Sequence, residues 1–318
     1  MNKNVNVHKR ARVRSRLRAE KGPERTVRRD PTRCVRKVEC AIISAPCNST
    51  ATRPTMNIQR MLCFGRNDES GNAAIVVEHA ALAGPERLKF AQRQDASATV
   101  FVEADAAGDM QLDYYYPHAR SPLCLHATLA ASAVFFERHP DIGRTRFITS
   151  MHRQTLEIER VGEGIFVGVK AQPCPAVAIH VAETARLLRV EPAHVIGTPR
   201  LASVGSAKLL VEVAEPSVLA ALRPDLPGIA EWSRKHGVSG MYVYCRLHNA
   251  IYAGRNFNHL EPRFEDAATG VAAGALALSL ERSITLLQGD ALGRPCTLVA
   301  RYAGGSVQIG GRAAKNAV

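Results

Sequence analysis

The sequence is poor in aromatic residues and lacks the short motifs that mark a metal centre or a nucleotide site. Phe, Trp and Tyr together make up 5% of the 318 residues, and there is a single Trp. The eight cysteines form no C-x-x-C pair, and no His/Cys cluster has the spacing of a zinc site. No glycine-rich segment matches a P-loop or a dinucleotide fingerprint. These absences argue against a structural metal ion and against a nucleotide site.

Long apolar runs are also missing. No run reaches the ~20 residues that a membrane-spanning helix requires, and no secretory hydrophobic segment is present. Scattered cysteines in such a chain indicate free thiols in a reducing compartment. These features predict a cytoplasmic protein without membrane contact.

The positive charge of the chain is concentrated in one region. The formal net charge is +13, but residues 1–55 hold 15 Lys/Arg against 4 Asp/Glu, whereas the remainder holds 27 against 25. Because residues 1–55 show little apolar periodicity, their self-repulsion predicts a disordered basic extension. The net charge of the whole chain is therefore no evidence that the remaining residues bind nucleic acid.

Three interpretations of this extension remain open. It could be an arm that binds nucleic acid or a membrane surface, which would make nucleic acid a partner only if the arm is real and orders on binding. It could be a targeting peptide, since it is rich in Arg and poor in acidic residues. It could also be upstream sequence, with Met56 as the natural first residue and an opening strand directly after it. We favour the third interpretation.

The segment at residues 265–280 indicates a loop that leads into a buried helix. An acidic pair ending in Asp266 precedes Thr269, Gly270 and a run of small and apolar residues. Asp266 and Thr269 are expected to cap the helix, because their oxygens can accept from the free amides of its first turn. The positive end of such a helix suits a carboxylate or phosphate ligand.

A second segment has the same design. In residues 122–135, Cys124 and His126 precede Thr128 and another Ala-rich run. Thr128 and Thr269 lie 141 residues apart, about one domain length. This spacing predicts an internal repeat, with two similar halves facing each other across a cleft.

These segments resemble the PhzF-like isomerases of phenazine biosynthesis. LCLHATLAASAVFF is similar to the family's LCGHATLAA motif, and EDAATGVAAGAL to EDPATGSAAG. Residues 70–77 resemble SGNPAAVV, and residues 255–257 match an R-x-F element. The resemblance covers the chain from about Met56 onward, and all four motifs occur in the family's order.

The resemblance implies an α+β architecture, the diaminopimelate epimerase-like fold. In that fold each of two lobes is a rolled, mostly antiparallel sheet around a central helix. We expect the first lobe at residues 56–175 and the second at residues 176–318, although the last strand can return to the first lobe. A homodimer and a small carboxylate substrate are also implied.

The resemblance further implies which residues form the site. Asp266 and His126 are expected to handle protons. Substrate binding is expected from six further residues: Asn72, Ser97, Cys124, Thr128, Thr269 and Gly270.

Three departures from the family pattern affect this assignment. The family's proton-carrying Glu corresponds to Ala98, which cannot transfer a proton. Leu125 replaces a Gly, and Val271 replaces a Ser. One hypothesis is therefore an isomerase that moves protons without a cofactor, using Asp266 and His126. The other is a catalytically silent relative that keeps a binding pocket for a small acid.

Local patterns fill in the remaining elements. Apolar stretches bounded by turn residues predict many strands, including two hairpins around residues 161–164 and 303–305. A helix is expected over residues 177–188, and a turn at residues 224–227.

Overall fold

The computed structural model describes residues 55–105, 108–258 and 265–316, which belong to one compact unit. The predicted basic extension lies outside these residues except for Thr55. Among the residues described, no helix combines the length and the hydropathy that a membrane crossing would require.

The described part of the chain is α+β and contains many more strands than helices. The strands are β1 (Asn57–Cys63), β2 (Asn72–Glu78), β3 (Ala98–Ala104), β4 (Met110–Tyr115), β5 (Arg120–Ser121), β6 (Arg144–Thr149), β7 (Thr155–Val161), β8 (Gly164–Lys170), β9 (Val195–Ala202), β10 (Lys208–Val213), β11 (Met241–His248), β12 (Ile251–Phe257), β13 (Glu265–Asp266), β14 (Ile284–Gln288), β15 (Cys296–Ala303), β16 (Ser306–Gly311) and β17 (Ala313–Lys315). The helices are α1 (Gly84–Gln92), α2 (Leu125–Arg138), α3 (Val181–Leu188), α4 (Pro216–Ala221), α5 (Leu226–His236) and α6 (Gly270–Ser279).

The strands of the first half pair in a fixed order of parallel and antiparallel arrangements. Strand β1 is antiparallel to β2, β2 is parallel to β3, and β3 is antiparallel to β4. Strand β4 then pairs with the short β5 and, in parallel, with β6, and an antiparallel β6–β7–β8 meander follows. The helix α2 connects β5 to β6.

The second half repeats this sequence of directions strand by strand. Strands β9 and β10 are antiparallel, β10 and β11 parallel, and β11 and β12 antiparallel. Strand β12 pairs with the short β13 and, in parallel, with β14, and β14–β15–β16 close as a meander. The helix α6 occupies the place that α2 has in the first half, so the chain contains an internal structural repeat.

The two halves are joined through their sheets. Strand β8 pairs with β16, its equivalent in the other half, over six residue pairs from Ser306↔Lys170 to Gly311↔Ile165. Strand β17 runs back to the first half and pairs with β1.

The two Ala-rich helices lie in one core that both halves share. Most residues of α2 and α6 are buried, and the surrounding side chains come from both sets of strands. Small side chains allow this close packing: a Cβ added to Gly274 of α6 would lie only 2.8 Å from side-chain atoms of Val204 and Ile309. The outer faces of the sheets are covered by α1 in the first half and by α3, α4 and α5 in the second.

Two local predictions are corrected by the structure. The helix expected over residues 177–188 begins only at Val181, because His180 is extended and serves as its N-cap. The turn expected at residues 224–227 is instead the start of α5. The Asp225 carboxylate accepts from the Gly228 amide at 3.2 Å, and Pro227 lies in the first turn, where its missing N–H costs nothing.

The junction between β8 and β16 generates a prediction about stability. A Cβ at Gly310 would overlap the Phe166 ring and lie 2.5 Å from the Ile165 carbonyl oxygen, whereas a Cβ at Gly168 would find its nearest neighbour at 3.5 Å. We expect Gly310→Ala to lower the free energy of unfolding by about 1–3 kcal/mol, because overpacking moves both strands. The control Gly168→Ala should change it by less than about 0.5 kcal/mol. Urea unfolding followed by circular dichroism measures both, and equal effects would contradict the prediction.

Candidate active site

A cavity of about 450 Å³ lies near the amino ends of α2 and α6 and is lined by residues of both halves. Asn72, Ser97 and His126 come from the first half, and Asp266 and Arg294 from the second. The volume lies within the range of sites that bind small molecules. His126 and Asp266, the two residues predicted to handle protons, thus face the same cavity.

The amino ends of the two helices touch each other. Leu125 is the first residue of α2 and Gly270 the first residue of α6. A Cβ added to Gly270 would lie 2.8 Å from the Leu125 Cβ, and the Leu125 side chain is buried. The Leu that replaces the family's Gly therefore packs directly on the start of the opposite helix.

The capping predicted for α6 is wrong. Thr269 is the N-cap residue, but its side chain makes no capping hydrogen bond. Its hydroxyl instead donates to Asp266 Oδ2 at 2.7 Å, and Asp266 lies in β13 before the helix. An ionised carboxylate accepts a strong hydrogen bond. The Thr269 hydroxyl therefore donates to Asp266 and does not cap the amides of the helix.

The structure also aligns the two halves differently from the sequence prediction. Cys124 is the N-cap of α2, so it corresponds to Thr269. Thr128 lies four residues further on, about one turn inside the helix. The match of Thr128 with Thr269 was therefore one turn out of register.

The Asp266 carboxylate is held by donors from both halves. Asn72 Nδ2 donates to Asp266 Oδ1 at 3.0 Å and to the Ala268 carbonyl oxygen at 2.9 Å. The Ser97 hydroxyl donates to Asn72 Oδ1 and so fixes the orientation of the amide. Asn72 is the first residue of β2, and Ser97 directly precedes β3. The first half is therefore in direct contact with the carboxylate through Asn72.

Gln288, at the end of β14, holds the backbone of the segment that carries Asp266. Its amide nitrogen donates to the Asp266 carbonyl oxygen at 2.6 Å and to Thr269 Oγ1 at 3.2 Å. Its amide oxygen accepts from the Tyr242 hydroxyl at 3.0 Å. Both the backbone and the side chain of Asp266 are therefore fixed by hydrogen bonds.

His126 sits in the first turn of α2 beside a thiol. Its Nδ1 lies 3.3 Å from Cys124 Sγ, and its backbone oxygen accepts from Cys63 Sγ at 3.1 Å. Burial lowers the pKa of His126, but the Cys124 sulfur and the Asp266 carboxylate together raise it above its ordinary value of 6.5. The imidazole consequently keeps its proton to a higher pH than a free histidine does.

A buried lysine contributes to the electrostatics of Asp266. Lys208, the first residue of β10, is 2% exposed and donates to the Ser239 carbonyl oxygen. Burial lowers its pKa to about 8, although the negative charge of Asp266 acts in the opposite direction. An apolar strand beginning with a Lys was the available signal for this residue, but the sequence alone did not show that the Lys is buried.

An aromatic wall completes the cavity. Tyr116 and His118 line it with stacked rings, 5.6 Å between centroids and 7° between planes. Burial and the neighbouring Cys124 raise the pKa of the Tyr116 hydroxyl well above its ordinary value, so the phenol stays protonated. The sequence analysis did not identify these two residues, because a strand ending in three tyrosines does not show which ring faces a cavity.

Four of the residues predicted to bind substrate lie behind the cavity wall. Cys124, Thr128, Thr269 and Gly270 are buried and do not line the cavity. The Thr128 hydroxyl, for example, donates to the Cys124 carbonyl oxygen at 2.9 Å and lies 2.7 Å from the Tyr114 hydroxyl. These residues support the wall instead of presenting groups to a ligand.

Ala98, at the position of the family's Glu, is 1% exposed and belongs to the shared core. It does not line the cavity. No three His, Cys, Asp or Glu side chains of the described ranges come together as a metal site.

The sequence also did not identify the two arginines that line the cavity, Arg60 and Arg294. Arg60 is paired with Asp95, whose carboxylate is fully exposed, whereas Arg294 lies on an exposed loop before β15. We call the exposed lining residues Asp95, Leu292 and Arg294 the mouth of the cavity.

Two repeated lobes, each with a central helix that starts near a common cavity, define the class of protein. This is the diaminopimelate epimerase-like fold, as the resemblance implied. More specifically, the model of the phenazine biosynthesis-like family, PhzC-PhzF, matches residues 63–317, and the chain belongs to that family.

Individual relatives agree with this assignment. The chain is 28% identical over 280 residues to an uncharacterised isomerase of Deinococcus radiodurans, covering 79% of this chain and 88% of the relative. It is 25% identical over 238 residues to a trans-2,3-dihydro-3-hydroxyanthranilate isomerase of Pseudomonas chlororaphis, covering 72% and 83%. A PhzF-family protein of Bacillus anthracis has a similar solved structure, with a TM-score of 0.70 at 18% identity over 82% of this chain and 96% of that one.

The burial of Lys208 generates a second prediction. Its native pKa of about 8 lies below its ordinary value of 10.5, so between these values the unfolded chain binds more protons and stability rises with pH. We expect Lys208→Met to raise the free energy of unfolding at pH 7 on the order of 1–3 kcal/mol, because the cost of burying the charge disappears. This gain should fade as the pH rises from about 8 to 10.5.

The control for that experiment is Lys235→Met, which removes an exposed lysine of α5. Denaturant unfolding at a series of pH values measures both variants. If the two variants have the same pH profile, burial of Lys208 does not destabilise its charged form.

Proposed function

We propose that the protein is a PhzF-like isomerase that shifts a proton within a small carboxylate-bearing metabolite, without help from a cofactor. The family is one of isomerases, and the P. chlororaphis relative is named for acting on a dihydro-hydroxyanthranilate. We propose a related class of substrate: a small cyclic or branched acid with a C–H bond next to an unsaturated or carboxyl carbon.

One observation carries this proposal. Asp266 and His126 come from opposite halves of the chain and line the same cavity. The carboxylate is fixed by Asn72 and Thr269, and the imidazole by its contact with Cys124. A base and an acid held on either side of a bound molecule are what a proton shift requires.

In the proposed step, Asp266 takes the proton of the reacting C–H bond. The electron pair of that bond forms a new C=C bond and displaces the original double bond. His126 then gives a proton to the carbon at the far end of the displaced double bond. The product is an isomer of the substrate, and the proton lost by His126 is replaced from Asp266 through solvent.

The electrostatics of the site suit these roles. The raised pKa of His126 keeps the imidazole available as an acid near neutral pH. The buried Lys208 interacts electrostatically with Asp266 from within the protein. In the proposed step the Asp266 carboxylate acts as the base and the histidine as the acid.

A second candidate function is the binding of a small acid without turnover. It is favoured by Ala98, which supplies no proton carrier and lies in the core, and by Leu125, which fills the space between the helix starts. In this alternative the protein keeps the cavity of the family but has lost its chemistry.

Assembly and location are part of the same proposal. We propose a homodimer, as the family resemblance implies, and a cytoplasmic location. Free thiols at the five described cysteines suit a reducing compartment. Nucleic acid is proposed as a partner only through the basic extension.

The isomerase proposal predicts exchange of substrate protons with solvent. The full-length protein is incubated in D₂O with a panel of 2-amino acids, 2-hydroxy acids and trans-2,3-dihydro-3-hydroxyanthranilate, and deuterium incorporation is followed by mass spectrometry. We expect Asp266→Asn and His126→Gln each to reduce the exchange rate by about 10²–10⁴-fold, since each removes a proton-transfer group.

The matched control is Asp290→Asn, which removes a carboxylate paired with Arg66 outside the cavity. It should exchange at the wild-type rate. Equal rates for Asp266→Asn and wild type would refute the catalytic assignment. Thermal stabilisation by a panel member without any exchange would instead favour the binding function, because ligand stabilisation does not require turnover.

A further inference from the structure

We infer that Asn256 is a positioning residue for Asp266: its side-chain oxygen accepts a hydrogen bond from the Asp266 carboxyl group once that group has taken a proton. The inference rests on the proposed function, because it names a residue that supports the base of the same site.

Asn256 lies beside Asp266 on the same face of the sheet. It belongs to β12, and the antiparallel register sets it directly opposite Asp266 of β13. The side chains of directly opposite residues project to one face, with Cβ atoms about 4.5–5.5 Å apart. On its other side Asn256 is opposite Tyr242 of β11, which belongs to the core around the two central helices. Asn256 and Asp266 therefore both project toward the inner face of the sheet.

The amide of Asn256 is buried without a partner. The residue is 0% exposed, and neither its Nδ2 nor its Oδ1 makes a hydrogen bond within the described part of the chain. Such a group is rare in a folded protein, because burying an amide without its hydrogen bonds is costly. The neighbouring Tyr242 hydroxyl does not relieve this cost, since it donates to Gln288 Oε1 at 3.0 Å. Asn256 therefore holds an unused acceptor next to the carboxylate.

The ionised form of Asp266 cannot use that acceptor, because a carboxylate only accepts hydrogen bonds. Its two oxygens already receive Asn72 Nδ2 at 3.0 Å and the Thr269 hydroxyl at 2.7 Å. When Asp266 takes the proton of a C–H bond, one oxygen becomes an O–H donor that requires an acceptor. The Asn72 nitrogen carries only donors, and Thr269 Oγ1 already accepts from Gln288 at 3.2 Å. The Asn256 oxygen is the acceptor that the protonated state requires.

The titratable groups around Asp266 are themselves donors. Five of them interact electrostatically with it: Tyr116, His126, Lys208, Tyr242 and Cys296. Burial raises the pKa of both phenols and of the Cys296 thiol, and it lowers the pKa of the Lys208 ammonium only to about 8. The pKa of His126 lies above its ordinary value. The adjacent Glu265 carboxylate accepts two hydrogen bonds from Arg255, at 2.8 and 2.6 Å.

The inference gives the proton a defined place after it leaves the substrate. In the proposed step the electron pair of the C–H bond stays with the substrate, and the proton moves to an Asp266 oxygen. The new O–H group then donates to Asn256 Oδ1. Because this hydrogen bond exists only after proton transfer, it favours the reacting state over the resting one. Asn256 does not line the cavity, so it acts through Asp266 and not on the substrate.

The first test measures stability and does not depend on turnover. Asp266→Asn stands in for the protonated base, because its amide nitrogen is a donor at the place of a carboxyl oxygen. Asn256→Leu has nearly the same shape as wild type but lacks the acceptor. It is introduced into wild type and into Asp266→Asn, and the full-length proteins are unfolded in urea at pH 7.

We expect opposite effects in the two backgrounds. In wild type, Asn256→Leu should raise the urea midpoint, since it removes a buried amide that has no partner. In Asp266→Asn, the same substitution should lower the midpoint, because a hydrogen bond is lost.

The matched control is Ser233→Ala in α5. Ser233 Oγ is also buried without a partner among the described residues, but Ser233 does not line the cavity. Ser233→Ala should raise the midpoint in both backgrounds. An effect of Asn256→Leu with the same sign in both backgrounds overturns the inference, including the equal loss expected of an amide that only holds a structural water.

Deuterium exchange supplies a second measurement, which also serves if Asp266→Asn does not fold. For a panel acid that exchanges, Asn256→Leu should lower kcat by about fivefold, as the loss of one hydrogen bond in the reacting state implies. KM should stay unchanged, because Asn256 does not touch the substrate. An unchanged kcat overturns the inference.

The two proposals fail separately. Opposite effects of Asn256→Leu on stability, together with exchange that depends on Asp266, support both. Opposite effects without any exchange by wild type remove only the catalytic proposal. Exchange that depends on Asp266, with effects of one sign and an unchanged kcat, removes only the role of Asn256.

Discussion

The hydrogen bond between Asn72 and Asp266 is the interaction on which the site depends. It joins the start of a strand in one half of the chain to a carboxylate in the other half. A free carboxylate on a loop would sample several orientations, whereas this one has a donor on each oxygen. The cavity, and the presence of both Asp266 and His126 in its wall, require the two halves to be docked as they are.

The repeated scaffold produces a single, asymmetric site because equivalent positions carry different residues. The first residue of β2 is Asn72, a donor to Asp266, and the first residue of β10 is Lys208, a buried cation. The helix that begins at Leu125 carries the histidine, and the helix that begins at Gly270 follows the aspartate. In the proposed mechanism one half therefore supplies the acid and the other the base, as directional proton transfer requires.

The sequence was sufficient for the fold because four ordered motifs and two Ala-rich runs carry strong local signals. It also identified Asp266 and His126, which stand beside those runs. It could not locate Arg294, Tyr116 or Lys208, because the loops and strand ends that bear them have no periodic pattern and reach the cavity only through tertiary packing. The helix α5 was missed for a related reason: Pro and Asp mark turns and helix starts alike, and only the Asp225 bond to Gly228 distinguishes them.

The continuous pairing of β8 with β16 has a consequence for how a molecule enters and leaves. Six residue pairs across this seam, together with the return of β17 to β1, resist any swinging apart of the lobes about a hinge. Any relative motion of the lobes therefore has to bend the sheet at this seam or break hydrogen bonds between its strands. A molecule that enters without such motion passes Asp95, Leu292 and Arg294, the exposed residues of the lining.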